Sequence, residues 1–153
     1  MGLDTTHDCW HGAYSAFMRW REQIAEAAGF PPLKLMQGFF SWEEPGSISL
    51  VRSAVKERWG DEQYLQSAFK GLPIKWTYFE KDPLSILLFH SDCDGEIDAK
   101  DCGPIADRLE EVLKSVPETT DLGGHVGNFH QKTRQFIEGL RDASSKGESV
   151  EFH

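Results

Sequence analysis

Long apolar runs are missing from this chain of 153 residues; the longest strongly apolar stretch, Ile86 to Phe89, falls far short of the length needed to cross a bilayer. The N-terminus carries His7, Asp8 and His11 where a secretory signal would need a basic flank and an apolar segment, so a cytoplasmic protein without membrane contact is expected. Cysteine is scarce. The three cysteines form no Cys-x-x-Cys pair and no disulfide framework, which suits a reducing compartment. Basic residues are also in short supply: 16 Lys and Arg against 25 Asp and Glu leave a net charge of −9. A deficit of that size opposes phosphate neutralisation, so duplex nucleic acid is set aside as a partner. Also absent are a Gly-x-Ser-x-Gly elbow, a His-Glu-x-x-His pair, a phosphate-binding glycine loop and a dinucleotide fingerprint.

What is present is a chain with the material for one core. Aromatics make up 12 % and apolar residues 39 % of a length typical of one domain, and no repeat or low-complexity tract interrupts it. Apolar residues recur at helical spacing from Trp10 through Ala13, Tyr14, Phe17, Ile24 and Ala28, and Gly29 with Pro31-Pro32 supplies a stop, predicting a helix over 10–28. Ser47 can cap a second helix through Trp59, and Asp61 a short third one through Phe69. The aromatic and β-branched segment 73–79 reads as a strand, and Asp82-Pro83 as the cap of a short helix that delivers His90 at its end. Amphipathic helices follow, one through Ile105, Leu109, Val112 and Val116 and one from Phe129 to Gly147, with 118–127 as the loop between. The tail Val150 to His153 has strand composition, with Phe152 directed inward and Glu151 and His153 outward. The expected fold is mainly α (α+β): one helical domain, 1–153, with a small sheet built from the terminal segments, from residues 74–79, or from both.

Chemistry concentrates in His90-Ser91-Asp92-Cys93-Asp94-Gly95-Glu96-Ile97-Asp98-Ala99-Lys100-Asp101. An Asp-x-Asp-Gly core with a β-branched residue two places on is how a calcium loop is written, with hard oxygens at alternate positions and a glycine for the sharp turn. Asp92, Asp94, Gly95, Ile97 and Asp101 take the third, fifth, sixth, eighth and twelfth places. His90 occupies the first place in lieu of aspartate, and Asp101 is one methylene shorter than the usual bidentate glutamate. Asp101 also stands where it can cap a helix beginning near Cys102, so a turn with a cap is the simpler account.

A second cluster, His7-Asp8-Cys9-x-His11, offers the nitrogen and sulfur donors that zinc prefers. With His90 and Cys93, His7 and His11 form a candidate metal set for a divalent ion, Zn or Ca; as structural groups, Asp8 would cap the first helix and Cys9 would be buried. The same histidines, oriented by Asp8, Asp92 or Asp94, can serve as general bases. Cys93 is poorly placed as a nucleophile, because neighbouring carboxylates oppose the charge of a thiolate. The aromatic groups Phe39 to Trp42 and Trp76 to Phe79 can stack on a planar ligand, or fill a core. Among the arginines on predicted helices, including Arg21, Arg134 and Arg141, some can pin an anionic group while most read as solvated.

The opening Met1-Gly2-Leu3-Asp4-Thr5-Thr6-His7-Asp8-Cys9-Trp10-His11-Gly12-Ala13-Tyr14-Ser15-Ala16-Phe17, the central His90 to Ile97 and the closing Val150-Glu151-Phe152-His153 together resemble a family of small bacterial and phage-borne proteins without an established activity. The resemblance implies an intracellular, mobile-element-associated protein and carries no catalytic residue with it.

Because the chemically dense segments fall at predicted element ends, the leading expectation is capture or sequestration of a small polar, nucleotide-like ligand. Its site would use His7, Asp8, His11, His90, Asp92, Asp94, Glu96, Glu151 and His153. The alternatives are a metal-dependent hydrolase built on a His/Asp/Cys site, and an interaction module, or homo-oligomer, that inhibits a host partner through aromatic surface.

Overall fold

The computed structural model of the protein describes residues 2–39, 72–123 and 127–153. The helices expected over 47–59 and 61–69, the aromatics Phe40 and Trp42, and Gly124 to Val126 lie outside the described residues. The described part is mainly α, with strand β1 (Gly2–Asp4), strand β2 (His11–Ala13), helix α1 (Tyr14–Ala28), helix α2 (Leu84–Phe89), strand β3 (Glu96–Ile97), helix α3 (Ala99–Ser115), helix α4 (Phe129–Lys146) and strand β4 (Val150–Glu151). Among the described residues no helix is long and apolar enough to cross a membrane.

Helix α1 begins four residues later than its periodicity predicts. Residues 11–13 pair antiparallel with 2–4, so a strand ladder uses the backbone groups that a first helical turn would need. Trp10 is nonetheless in the core, packed 5.2 Å from Phe17 and 5.3 Å from Trp20 between ring centroids. Phe136 of α4 closes the cluster at 4.7 Å from Trp20. The Trp20 indole N–H donates to Thr133 Oγ1 at 2.9 Å, so its polar end is satisfied inside the same core. At the other end of α1, Gly29 takes the left-handed conformation (φ 91°) that closes a helix, as the Gly-x-Pro-Pro pattern predicts.

The expected strand over 73–79 is absent. Ile74 makes a single bridge to Met36, and residues 76–79 form a 3-10 turn. Trp76 is drawn inward because its indole N–H donates to the Gln37 carbonyl at 2.8 Å and its ring meets Phe30, Phe39 and Phe89. Core filling is thus the role of Trp76, while Tyr78 is exposed.

Helices α3 and α4 pack against one another as an antiparallel pair, each closed as its sequence requires. Asn128 accepts a hydrogen bond from the Gln131 backbone N–H at 3.1 Å, and Gly147 ends α4 in the left-handed conformation. Helix α3 starts at Ala99 after Asp98, which moves Asp101 from the expected cap position into the first turn, where a carboxylate still complements the helix dipole.

The two terminal segments and the centre of the chain meet in one small assembly. Strand β4 pairs with β3 (Glu96 with Glu151, Ile97 with Val150), and the residues after it run antiparallel to the N-terminal segment. The Asp4 N–H donates to the His153 carbonyl at 2.8 Å and the His153 N–H returns a bond to Asp4 at 2.9 Å. Segments 11–13, 2–5, 150–153 and 95–97 therefore lie side by side. Alternation puts Leu3, Ile97, Val150 and Phe152 into the core and leaves Asp4, Glu96, Glu151 and His153 outward, as the tail's sequence predicts. Deletion of residues 149–153 is expected to destabilise the protein by at least about 3–5 kcal/mol, the order for losing one buried phenylalanine. Urea unfolding of the truncated chain checks it, and an unchanged midpoint would refute an ordered, docked tail.

Candidate functional site

Loop 90–98 inherits its course from the elements on either side. The Asp82 carboxylate accepts the Leu84 N–H at 3.0 Å and starts α2, which buries Leu84, Leu87 and Leu88 and ends at His90. Gly95, at the sixth place of the calcium-loop pattern, has φ 88°, a value that favours glycine. Ile97, at the eighth place, is in β3 and buried, and α3 begins at the tenth. The backbone of 84–101 thus runs helix, left-handed glycine, short strand, helix.

The side chains depart from the pattern. The His90 ring lies 4.1 Å from that of Phe152, under the place where a Cβ on Gly95 would sit, and its Nδ1 is 2.8 Å from the Ser91 carbonyl. Asp94 and Cys93 are exposed, and Cys93 Sγ is 3.5 Å from Ser91 Oγ. Glu96 accepts from the Ser149 hydroxyl at 2.8 Å.

Beneath this loop sits a residue that helical patterning marks only as one arginine among several. Arg21 on α1 is 1 % exposed. One guanidinium nitrogen donates to the His90 carbonyl at 2.6 Å and to the Leu88 carbonyl at 3.3 Å, filling acceptors that the end of α2 leaves free. Its charge lies over the Phe17 ring at 4.5 Å and the Phe39 ring at 5.4 Å. No carboxylate bonds to it among the described residues, and its Nε has no partner there. Burial pulls its pKa down to about 10, against the opposing field of Asp92, so it remains a cation at neutral pH. The one advance signal was position: Arg21 falls between the apolar residues Phe17, Trp20 and Ile24 of the same helix.

His7 leaves the expected site. Its side chain, 9 % exposed, faces α4, with Nδ1 2.8 Å from Asp142 Oδ2 and Nε2 4.0 Å from Glu148. The turn that carries it is held in a left-handed conformation at His7 (φ 59°) and Asp8 (φ 53°). That turn lies directly on α4 at Gly139, where a Cβ would come within 2.4 Å of Cys9 Sγ and 2.7 Å of the His7 carbonyl. Asp8 is exposed and caps no helix; its carbonyl accepts from Gln135 at 2.9 Å. Cys9 is buried, as its structural role requires, and burial pushes its thiol up to about 12.

His11 is exposed and pairs through Nδ1 with Asp4, its cross-strand partner. With His153 opposite Asp4 on the other side, His11, Asp4 and His153 form a row across three segments, and Glu151 and Glu96 face one another beside it. The structure therefore brings together His11, Glu96, Glu151 and His153, adds Asp4, places the 90–94 loop alongside, and diverts His7 and Asp8. The candidate metal set His7, His11, His90 and Cys93 does not converge, because the first two are committed to Asp142 and Asp4 on different faces. Among the described residues no three His, Cys, Asp or Glu side chains are gathered to hold a metal. No family model, curated protein or solved structure matches the chain.

Two consequences are measurable. Hydrogen bonds from His7 and Lys146 hold the Asp142 carboxyl below its ordinary value of 3.8. A depressed acid adds stability above its unfolded-state pKa and loses it as pH falls through the folded one. Asp142→Asn is therefore expected to lower stability at neutral pH and to flatten the acid limb below about pH 4, read by thermal melts across pH; parallel wild-type and variant curves would contradict it. Arg21→Ala is expected to destabilise by about 3–5 kcal/mol, since it orphans the Leu88 and His90 carbonyls and opens a cavity beside the Phe17 and Phe39 rings, as denaturant titration can establish.

Proposed function

We propose that the protein captures a small polar ligand at the terminal sheet and the adjoining 90–101 loop, and that a divalent cation is part of what it captures. The observation that carries this reading is the backbone course through the loop, in which left-handed Gly95, strand residue Ile97 and the start of α3 fall at the places a calcium loop assigns to them. Charge supports it as well. Asp4, Glu96 and Glu151 face outward on the sheet and Asp94 is exposed beside them, so a bare phosphate would meet repulsion there while a cation, or a nucleotide carrying its cation, would not. His11 and His153 flank Asp4 and can donate to the polar body of such a ligand.

In this reading Arg21 is a positioning residue: it holds the His90 and Leu88 carbonyls, and so the start of the loop, from α1. Binding to the folded state alone must raise the melting temperature in proportion to the logarithm of ligand excess. Melting the protein with Ca²⁺ or Mg²⁺ alone, with adenosine and guanosine nucleotides in EDTA, and with the two combined, tests the proposal. A shift with cation, enlarged by nucleotide and removed by Asp92→Asn with Asp94→Asn, is expected. Equal melting temperatures in every condition would sink it, and a shift from nucleotide in EDTA would show that the cation is not involved.

A further inference from the structure

Away from the terminal sheet, a groove of about 680 Å³ follows the outer seam between the end of α3 and the start of α4. Its size is that of small-molecule sites, which usually enclose about 300–1,000 Å³. The residues that form it repeat at helical spacing on both sides: Leu113, Lys114 and Pro117 from α3 and the turn after it, and His130, Arg134, Ile137 and Glu138 from α4. Arg141 bridges the helices at one end through Glu110 at 2.9 Å and Asp107 at 3.0 Å, and these bonds hold its cation in place.

The rest of the rim is unpaired. Lys114, Arg134, Glu118 and Glu138 have no ion-pair partner among the described residues, although both signs are present. The groove is also walled by His130, whose residue exposure is 7 %. Its Nε2 lies 2.6 Å from the Val116 carbonyl, which can only accept, so Nε2 carries the proton and Nδ1 is left as an acceptor. That Nδ1 is buried and has no hydrogen-bond partner among the described residues. Leu113, Val116 and Ile137 supply the apolar surface between these polar groups.

We propose that this groove binds a zwitterion with an apolar body, a free apolar amino acid or a dipeptide. The carboxylate meets Lys114 and Arg134, the ammonium meets Glu138 one turn along the same helix face from Arg134, and the apolar body lies on Leu113 and Ile137. A simple anion or cation would leave half of the rim unused. The site shares no residue with the terminal sheet, so its test stands apart from that of the cation-dependent ligand.

Isothermal titration of the full chain with L-leucine and with L-leucyl-L-leucine, each in EDTA, reads the proposal; the one that saturates at lower concentration identifies the source. N-acetyl-L-leucine and L-leucinamide, each lacking one charge, are expected to bind about tenfold more weakly or worse, a change of about 1.4 kcal/mol or more. Arg134→Gln and Glu138→Gln change exposed side chains and leave the core intact, and each is expected to weaken the zwitterion to a similar degree. Absence of saturable heat from both zwitterions, equal binding of the blocked compounds, or indifference to both substitutions would overturn it.

Discussion

The reciprocal backbone bonds between Asp4 and His153 are the constraint on which the rest of the arrangement depends. They place the C-terminal strand between the N-terminal segment and β3, so the segments that carry His11, Glu96, Glu151 and His153 lie on neighbouring strands. Phe152 is then committed to the core, where its ring meets Phe17 and His90, and alternation does the rest by turning Glu151 and His153 outward. A slip of one residue in this pairing would exchange those faces and expose Phe152, which is why a short ladder is enough to set the register.

The same assembly is anchored from behind by the turn at residues 6–9. Two non-glycine residues in left-handed conformation are unfavourable by themselves, and the turn persists because its surroundings over-determine it. Thr6 Oγ1 accepts the Glu151 N–H, the Asp8 carbonyl accepts from Gln135, His7 pairs with Asp142, and Cys9 seats against the bare backbone of Gly139. His7 is thus spent on architecture. The loop on the opposite side is held by a different device, a buried guanidinium bonded to main-chain carbonyls with aromatic rings on its flank. Burying a cation without a bonded carboxylate is costly. Arg21 tolerates it because two carbonyls and the nearby Asp92 offset part of the lost hydration.

Much of the framework was legible in residue order because it rests on local rules. Gly29 and Gly147 close helices, Asp82 starts one, the 3.6-residue period of α3 and α4 is unbroken, and the alternation of Val150 to His153 states which side faces the core. The strand expected at 74–79 failed where a local rule met a stronger tertiary one: the Trp76 indole found its acceptor on Gln37, and aromatic packing bent the segment into a turn. The start of α1 moved for a similar reason, since pairing with residues 2–4 outcompeted the first helical turn.

For the candidate site the division is sharper. Composition and spacing alone determined a mainly helical chain, an acidic surface and the calcium-loop order of residues around Gly95, because these depend on residue identity and short-range backbone preference. Which of the histidines would meet depended on partners more than a hundred residues away: His7 found Asp142, and the His153 backbone paired with Asp4 beside His11. Arg21 likewise acquired its role from carbonyls on α2. Long-range pairings of this kind leave no periodicity in the sequence, since each is set by the packing of whole elements, and only the tertiary structure decided them.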